Sequence, residues 1–221
     1  MCGRYTLRMP VETLAKEFGI TGPLPEVQAR SNVAPTREVA AELSEDAQRH
    51  LEMLRWGLIP SWADDPAIGS RMINAHSETA HEKPSFRRAF KERRCLILAD
   101  EFNGWRKMAN GKQPYYIHME DRPPFAFTGL WESWSKHREE IHSCTILTTD
   151  ENNLVGETHH RMLIILSPDN YELWLDLDML KAEPLLDLLR PYPDDVMEAY
   201  PVSKRVNKPS NDEPSCVEPV A

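Results

Sequence analysis

The most distinctive chemistry in this chain belongs to Cys2, and it depends on position rather than residue type. If Met1 is removed, Cys2 carries a thiol and a free α-amine on adjacent carbons. A cysteine elsewhere cannot offer that pair, because its nitrogen is locked in an amide. The small Cys2 side chain, followed by Gly3, suits removal of the initiator methionine. An α-amine with a reference pKa of about 7.7–8.0 keeps a reactive neutral fraction near neutral pH. Two further stretches place polar groups at strand ends or in turns: Asn74-Ala75-His76 and Thr158-His159-His160-Arg161-Met162. A cysteine, a histidine and an asparagine from distant parts of a chain suit nucleophilic catalysis. Each also has a plainer reading, as a loose terminal cysteine or as structural polar residues.

The elements that must hold these residues are short and mostly extended. Strands are expected at 39–43, 51–58, 95–99, 115–119, 125–131, 144–149, 163–166 and 197–202, from apolar or alternating runs between turn signals. Asn110-Gly111 marks a hairpin. Short helices are expected at 10–18, 85–90 and 180–189, and from Ser167-Pro168, where the serine suits an N-cap and the proline the first helical position. Many strands with few helices, and no regular βα alternation, predict an α+β fold with mixed or mostly antiparallel twisted sheets and a barrel-like core. Trp56 is expected in that core, and Trp62, beside the Ile59-Pro60 break, on a loop where it can stack on a ligand.

Composition sets the outer limits. The 221 residues suffice for one sizeable core. No apolar run approaches the ~20 residues of a membrane helix, and Arg4, Arg8, Glu12 and Lys16 interrupt any signal segment, so a cytoplasmic protein is expected. Cys2, Cys95, Cys144 and Cys216 form no C-x-x-C pair, which predicts free thiols and no metal site. A net charge of -9 argues against indiscriminate polyanion binding. Lys83, Arg87, Arg88, Lys91, Arg93 and Arg94 nevertheless crowd one stretch, with Arg106 and Lys107 following. That set reads either as a solvated face or as a local basic rim.

Taken together, ordered blocks along the chain resemble the SOS response-associated peptidase (SRAP) family, the abasic-site processing proteins. The blocks are Met1-Cys2-Gly3-Arg4-Tyr5, Asn32-Val33-Ala34-Pro35-Thr36, Arg55-Trp56-Gly57-Leu58-Ile59-Pro60-Ser61-Trp62, Ile73-Asn74-Ala75, Ser77-Glu78-Thr79, Lys83-Pro84-Ser85-Phe86, Arg93-Arg94-Cys95-Leu96, Thr148-Thr149 and His159-His160-Arg161-Met162. The resemblance implies one SRAP-like domain over residues 1–208 with a polar, Pro-rich tail at 209–221. It also implies a positively charged cleft for single-stranded DNA.

It further implies a reaction. An abasic site opens to an aldehyde, the Cys2 amine forms a Schiff base with it, and the thiol closes a thiazolidine that joins protein to DNA. Cys2, Asn74 and His159 carry over as the catalytic set. Asn74 would orient the opened sugar or the terminus, and His159 would give a proton to the sugar oxygen. Arg4, Trp62, His76, Trp105, Arg87 and Arg88 carry over as DNA contacts. A monomer is expected, with single-stranded DNA holding abasic sites as partner, and no cofactor, metal or membrane.

The chain departs from the family pattern at Gly104, where the family has a carboxylate; at His76, where it has an arginine; at Leu163, where it has a proline; and at Glu101, where it has a glycine. Glu101 is the candidate substitute carboxylate, although its odd spacing from Gly104 puts the two on opposite faces of a regular strand. Two other readings stay open: a single-strand binder without catalysis, and an N-terminal-cysteine amidohydrolase.

Overall fold

A computed structural model of the chain describes residues 3–45, 48–136, 138–179 and 181–220. Cys2 therefore lies outside the described residues.

In chain order the elements are β1 (Tyr5–Leu7), α1 (Val11–Glu17), β2 (Arg30–Val33), β3 (Glu38–Glu45), β4 (Gln48–Trp56), β5 (Asn74–His76), α2 (Ser77–Ala80), α3 (Arg87–Glu92), β6 (Arg94–Ala99), β7 (Glu101–Met108) and β8 (Gly111–Met119). They continue as β9 (Phe125–Lys136), β10 (Glu139–Asp150), α4 (Asn153–Gly156), β11 (Arg161–Leu163), β12 (Ile165–Leu166), α5 (Tyr171–Leu175), α6 (Ala182–Leu186) and β13 (Met197–Pro201).

The strands β10, β4, β3, β6 and β9 pair in that order, and β9 pairs back onto β10, so five strands close a barrel. Only the β4–β10 contact in that ring is parallel. Closure removes sheet edges and lets one apolar core fill the centre. β6, buried along its whole length, is the fully apolar run after Arg94. Opposite it, Gly129 of β9 gives the space closure needs: a Cβ there would sit 2.8 Å from Cys95 Sγ and 2.8 Å from Ile97 Cδ1. The α+β, barrel-like expectation is met.

A second sheet, antiparallel and open, runs β13-β8-β7-β1-β2. The chain passes from the barrel to this sheet through Asp100 alone, between β6 and β7. The amide of Asp100 donates to Thr6 O (3.0 Å), and the amide of Asn103 to Arg4 O (3.0 Å). These bonds lay the N-terminal segment along β7. Tyr5 anchors it, fully buried, with its ring 5.5 Å from Trp56 and 5.7 Å from Phe127; such aromatic pairs add about 0.5–1.5 kcal/mol each beyond burial.

Several local expectations shift. The run 163–166 is two short strands, because β9 and β10 diverge beyond the Gly129–Ile146 pair. β11 pairs with β10 and β12 with β9, so the chain crosses the gap that opens between them. Pro168 opens a 3-10 turn, no side-chain cap bond comes from Ser167, and α5 begins only at Tyr171. The helix expected at 180–189 shortens to Ala182–Leu186, with Leu180 outside the described residues.

Residues beyond Ser203 use their polar groups internally. The Asp212 carboxylate accepts the amides of Ser31 (2.7 Å) and Asn32 (2.8 Å) and the Arg30 guanidinium (3.0 Å). The Asn32 side chain answers by donating to the carbonyls of Val206, Lys208 and Asn211. Cys216 is buried behind them.

Candidate functional site

A cavity of about 600 Å³ opens where the N-terminal segment, β7 and the loop after α4 meet. Gly3 and Arg4 form one wall, and Thr158 and His159 face them. The β7–β8 hairpin contributes Lys107 and Lys112, and Arg161 also borders the space. No Asp or Glu lies among its described lining residues, so in a chain of net charge -9 this is a cationic hollow. Local charge of that kind draws anions regardless of net charge.

His159 is presented by local sequence. The side chain of Asn152 caps α4 by accepting the Val155 amide at 2.8 Å. The helix then ends with the amides of Thr158 (2.8 Å) and His159 (2.9 Å) both on Val155 O. His159 Nδ1 accepts the backbone amide of Arg161 at 3.0 Å, which places the ring hydrogen of the neutral form on Nε2. Burial lowers its pKa below the usual histidine value, with His160 and Lys112 adding to the effect. The rings of His159 and His160 stack, 4.3 Å apart and 23° from parallel. The side chain is thus a neutral imidazole that offers an Nε2–H donor.

Arg161 ties this loop to the barrel. Its guanidinium makes two bonds to Glu78, at 2.7 and 2.8 Å, one to Asp150 at 2.9 Å and one to Thr148 O at 2.6 Å. The Glu78 carboxyl is held below its ordinary pKa by the Arg161 hydrogen bond.

Gly104 has a packing reason. A Cβ there would lie 2.4 Å from Thr158 Oγ1 and 2.8 Å from Thr158 Cβ. Thr158 fills the space that a side chain at 104 would occupy, and its hydroxyl donates to Val155 O at 2.9 Å. Glu101 lies elsewhere and lines no part of the cavity. Buried, it accepts the hydroxyls of Tyr116 (2.6 Å) and Thr6 (2.7 Å) and pairs with Arg8 at 3.3 Å. Burial raises its pKa, but a hydrogen bond with the Asp100 carboxyl first, then those from Tyr116 and Thr6 and the Arg8 charge, hold it below the ordinary value. Burial raises its neighbour Asp100 to about 6.

The other sequence-derived residues are dispersed. Trp105 lines the cavity, and its Nε1–H donates to Asn207 Oδ1 at 2.7 Å. Asn74 is half-buried in β5 opposite Ile146, next in sequence to Ile73, which abuts Gly3. Exposed His76 sits just before α2. Trp62, 56% exposed, lines a separate hollow with Ile68 and Arg71. Arg87 and Arg88 are exposed on α3, where Arg88 pairs with Glu92 at 3.1 Å. Cys2 lies outside the described residues.

Two members of the basic rim are corrected. Arg94 is fully buried, and its guanidinium donates to the carbonyls of Phe90, Lys91, Trp174 and Asp176. Arg93 pairs with Glu132 at 2.8 Å and lies over Trp131. They serve the barrel wall, not a phosphate. Conversely, Lys112 and Asn207 border the cavity and were not singled out from sequence. A turn centred on Asn110-Gly111 would have set Lys112 opposite Ala109; the turn forms one residue earlier, with Met108 opposite Gly111, and so brings Lys112 across from Lys107.

Among the described residues no group of three His, Cys, Asp or Glu side chains gathers as a metal site. Among the described residues no helix is long and apolar enough to cross a membrane.

Comparison with known proteins adds family context. The family model for SOS response associated peptidase (SRAP) matches residues 1–209. The abasic site processing protein YoqW of Bacillus subtilis is 40% identical over 222 residues, with 99% of each chain covered. YoaM of the same organism, also named an abasic site processing protein, is 42% identical over 215 residues, covering 96% of this chain and 95% of its own. A crystal structure of a protein from Bacteroides thetaiotaomicron superposes with a TM-score of 0.89 at 26% identity, each chain covered completely.

Proposed function

The chain belongs to the SRAP family, and from that premise we propose that it processes abasic sites in single-stranded DNA by capturing them covalently through Cys2. The observation that carries this reading is the cavity itself. One cationic hollow joins Gly3, the residue bonded to Cys2, to the Nε2–H of His159.

The chemistry balances without a cofactor. After Met1 is removed, the Cys2 amine adds to the aldehyde carbon of the opened sugar, and the resulting carbinolamine loses water to leave an imine. The thiol then adds its sulfur to the imine carbon and its proton to the nitrogen, closing a thiazolidine. The sum is aldehyde plus aminothiol giving thiazolidine plus one water. His159, neutral and donating from Nε2, polarises the sugar oxygen as the ring opens and as water leaves, in the manner of a neutral imidazole electrophile. Asn74 orients the opened sugar or the terminus. Arg4 contacts backbone phosphate and Trp105 stacks on a base, the usual combination for sequence-tolerant single-strand binding. Trp62, His76, Arg87 and Arg88 would meet the strand farther out.

The test is incubation of the Met1-processed protein with a single strand holding one abasic site. A heat-stable adduct on a denaturing gel is expected, absent in Cys2→Ala. An adduct that survives Cys2→Ala defeats the assignment. The packing of Thr158 against Gly104, where the family has a carboxylate, favours a second reading: a binder without covalent capture. Tight binding with no adduct would establish it.

A further inference from the structure

The β7–β8 hairpin holds an arrangement that the fold itself does not favour. Its register sets Lys107 directly opposite Lys112, and like charges so placed across an antiparallel pair repel. Both residues are exposed. Neither ammonium has an ion pair or side-chain hydrogen bond to a described residue, whereas Arg106, between Trp105 and Lys107, is matched with Glu157 at 3.1 Å. The nearby acid is thus used on the arginine, and the two lysines keep their charge. Both line the cavity, and Lys112 is close enough for its field to act on His159. The hairpin is also short: Met108 pairs with Gly111, leaving Ala109 and Asn110 as the turn. Gly111, at φ 112, takes a conformation that disfavours any other residue. Such a turn holds the two lysine backbones in register.

We propose that Lys107 and Lys112 form a clamp for one backbone phosphate of the DNA strand, the phosphate adjoining the sugar that enters the cavity. The proposal rests on the reading of the cavity as the abasic-sugar site. A phosphate between the two ammonium groups replaces their mutual repulsion with two attractions, so the strain of the free hairpin is released on binding. It also screens Lys112 from His159, so filling the clamp makes the imidazole more basic when the sugar arrives.

The experiment measures binding of the full chain to a short single strand in which a tetrahydrofuran residue replaces the abasic sugar. That analogue has no aldehyde, so binding is read apart from capture. Fluorescence anisotropy across a salt series is expected to show weaker binding for the Lys107→Gln/Lys112→Gln double variant. Its log–log salt slope should be shallower by about 0.7, the contribution of one single-strand phosphate. Lys107→Arg/Lys112→Arg should restore the slope, and Lys16→Gln, on α1, should leave it unchanged. A neutral methylphosphonate walked along the strand should weaken wild-type binding at the position beside the tetrahydrofuran, and at that position cost the double variant nothing more, whereas at phosphates met by Arg4 or by the arginines farther out it should cost both proteins alike. A slope unchanged in the double variant overturns the clamp. So does the absence of any position beside the tetrahydrofuran whose methylphosphonate effect is lost in the double variant. Failure of covalent capture is a separate result, read with the natural abasic strand: no wild-type adduct together with a lysine-dependent slope would leave the clamp standing and remove the capture.

Discussion

Two basic stretches sit on either side of Asp100, and the fold uses them in opposite ways. On the barrel side, Arg94 is buried, surrounded by backbone carbonyls, and burial pushes its pKa down to about 10, so it stays charged at neutral pH. Arg93 beside it is taken by Glu132. On the open-sheet side, Lys107 and Lys112 face each other across a hairpin with no acid between them, at the mouth of the cavity. In sequence the first stretch is the denser and would be the obvious anion site. Density of charge in sequence overstates what is left for a ligand: Arg93 and Arg94 are taken by a carboxylate and by backbone carbonyls, whereas Lys107 and Lys112 border the cavity.

The sharpest way to break this contrast is Arg94→Met. It leaves at least four carbonyls without their donor, at about 1–3 kcal/mol for each that water cannot reach. A loss of about 3–5 kcal/mol is expected in urea unfolding, comparable to removing one partner of a buried ion pair. A loss below about 1 kcal/mol would mean that Arg94 is no more structural than the lysines. Next in size, Gly104→Glu should cost about 2–3 kcal/mol through its collision with Thr158. Adding Thr158→Gly should recover a large part, because the obstructing atoms are then gone; additive losses in thermal unfolding would remove Thr158 as the reason for the glycine. On the hairpin, Lys107→Gln/Lys112→Gln should leave the fold unharmed or raise its stability by about 0.5 kcal/mol, from relief of the cross-strand repulsion. A clear drop in melting temperature would show that the pair supports the fold instead.

The smallest effect is in titration. His159 is depressed by burial first, with the Lys112 charge contributing. Lys112→Gln should therefore move its midpoint up toward the ordinary value near 6.5, followed by NMR of the ring Cε1–H. An unmoved midpoint would separate the hairpin from the imidazole. The linkage sign follows from the direction of the shift. The unfolded chain takes up the proton at higher pH than the folded one, so this histidine's contribution to stability is complete above its unfolded pKa and is lost as pH falls through the folded value.

Much of this was legible in the sequence, for physical reasons. Strands with a buried face announce themselves by their apolar runs, and 95–99, 115–119 and 144–149 stand within β6, β8 and β10. Trp56 belongs to the core, as its place in an apolar run implies. The period-two rule puts Glu101 and Gly104 on opposite faces, and Glu101 lies outside the cavity. Less legible were elements whose form depends on a distant partner. Residues 163–166 split because β9 and β10 part company there. The polar C-terminal segment packs down because Asp212 accepts the Asn32 amide across 180 residues of sequence, and the Asn32 side chain donates to the carbonyls of Val206, Lys208 and Asn211.

Sequence alone determined the chemistry available to this protein: a cysteine one residue from the start, a histidine and an asparagine in family blocks, and strands enough to close a barrel. The tertiary structure decided which groups meet. Charge and hydrogen-bonding capacity are properties of residue types, but whether a cation faces a carbonyl, a carboxylate or an open cavity depends on how strands are paired and registered. That pairing puts Gly3 and Arg4 alongside β7, His159 across from them, and Lys107 opposite Lys112 in the cavity lining.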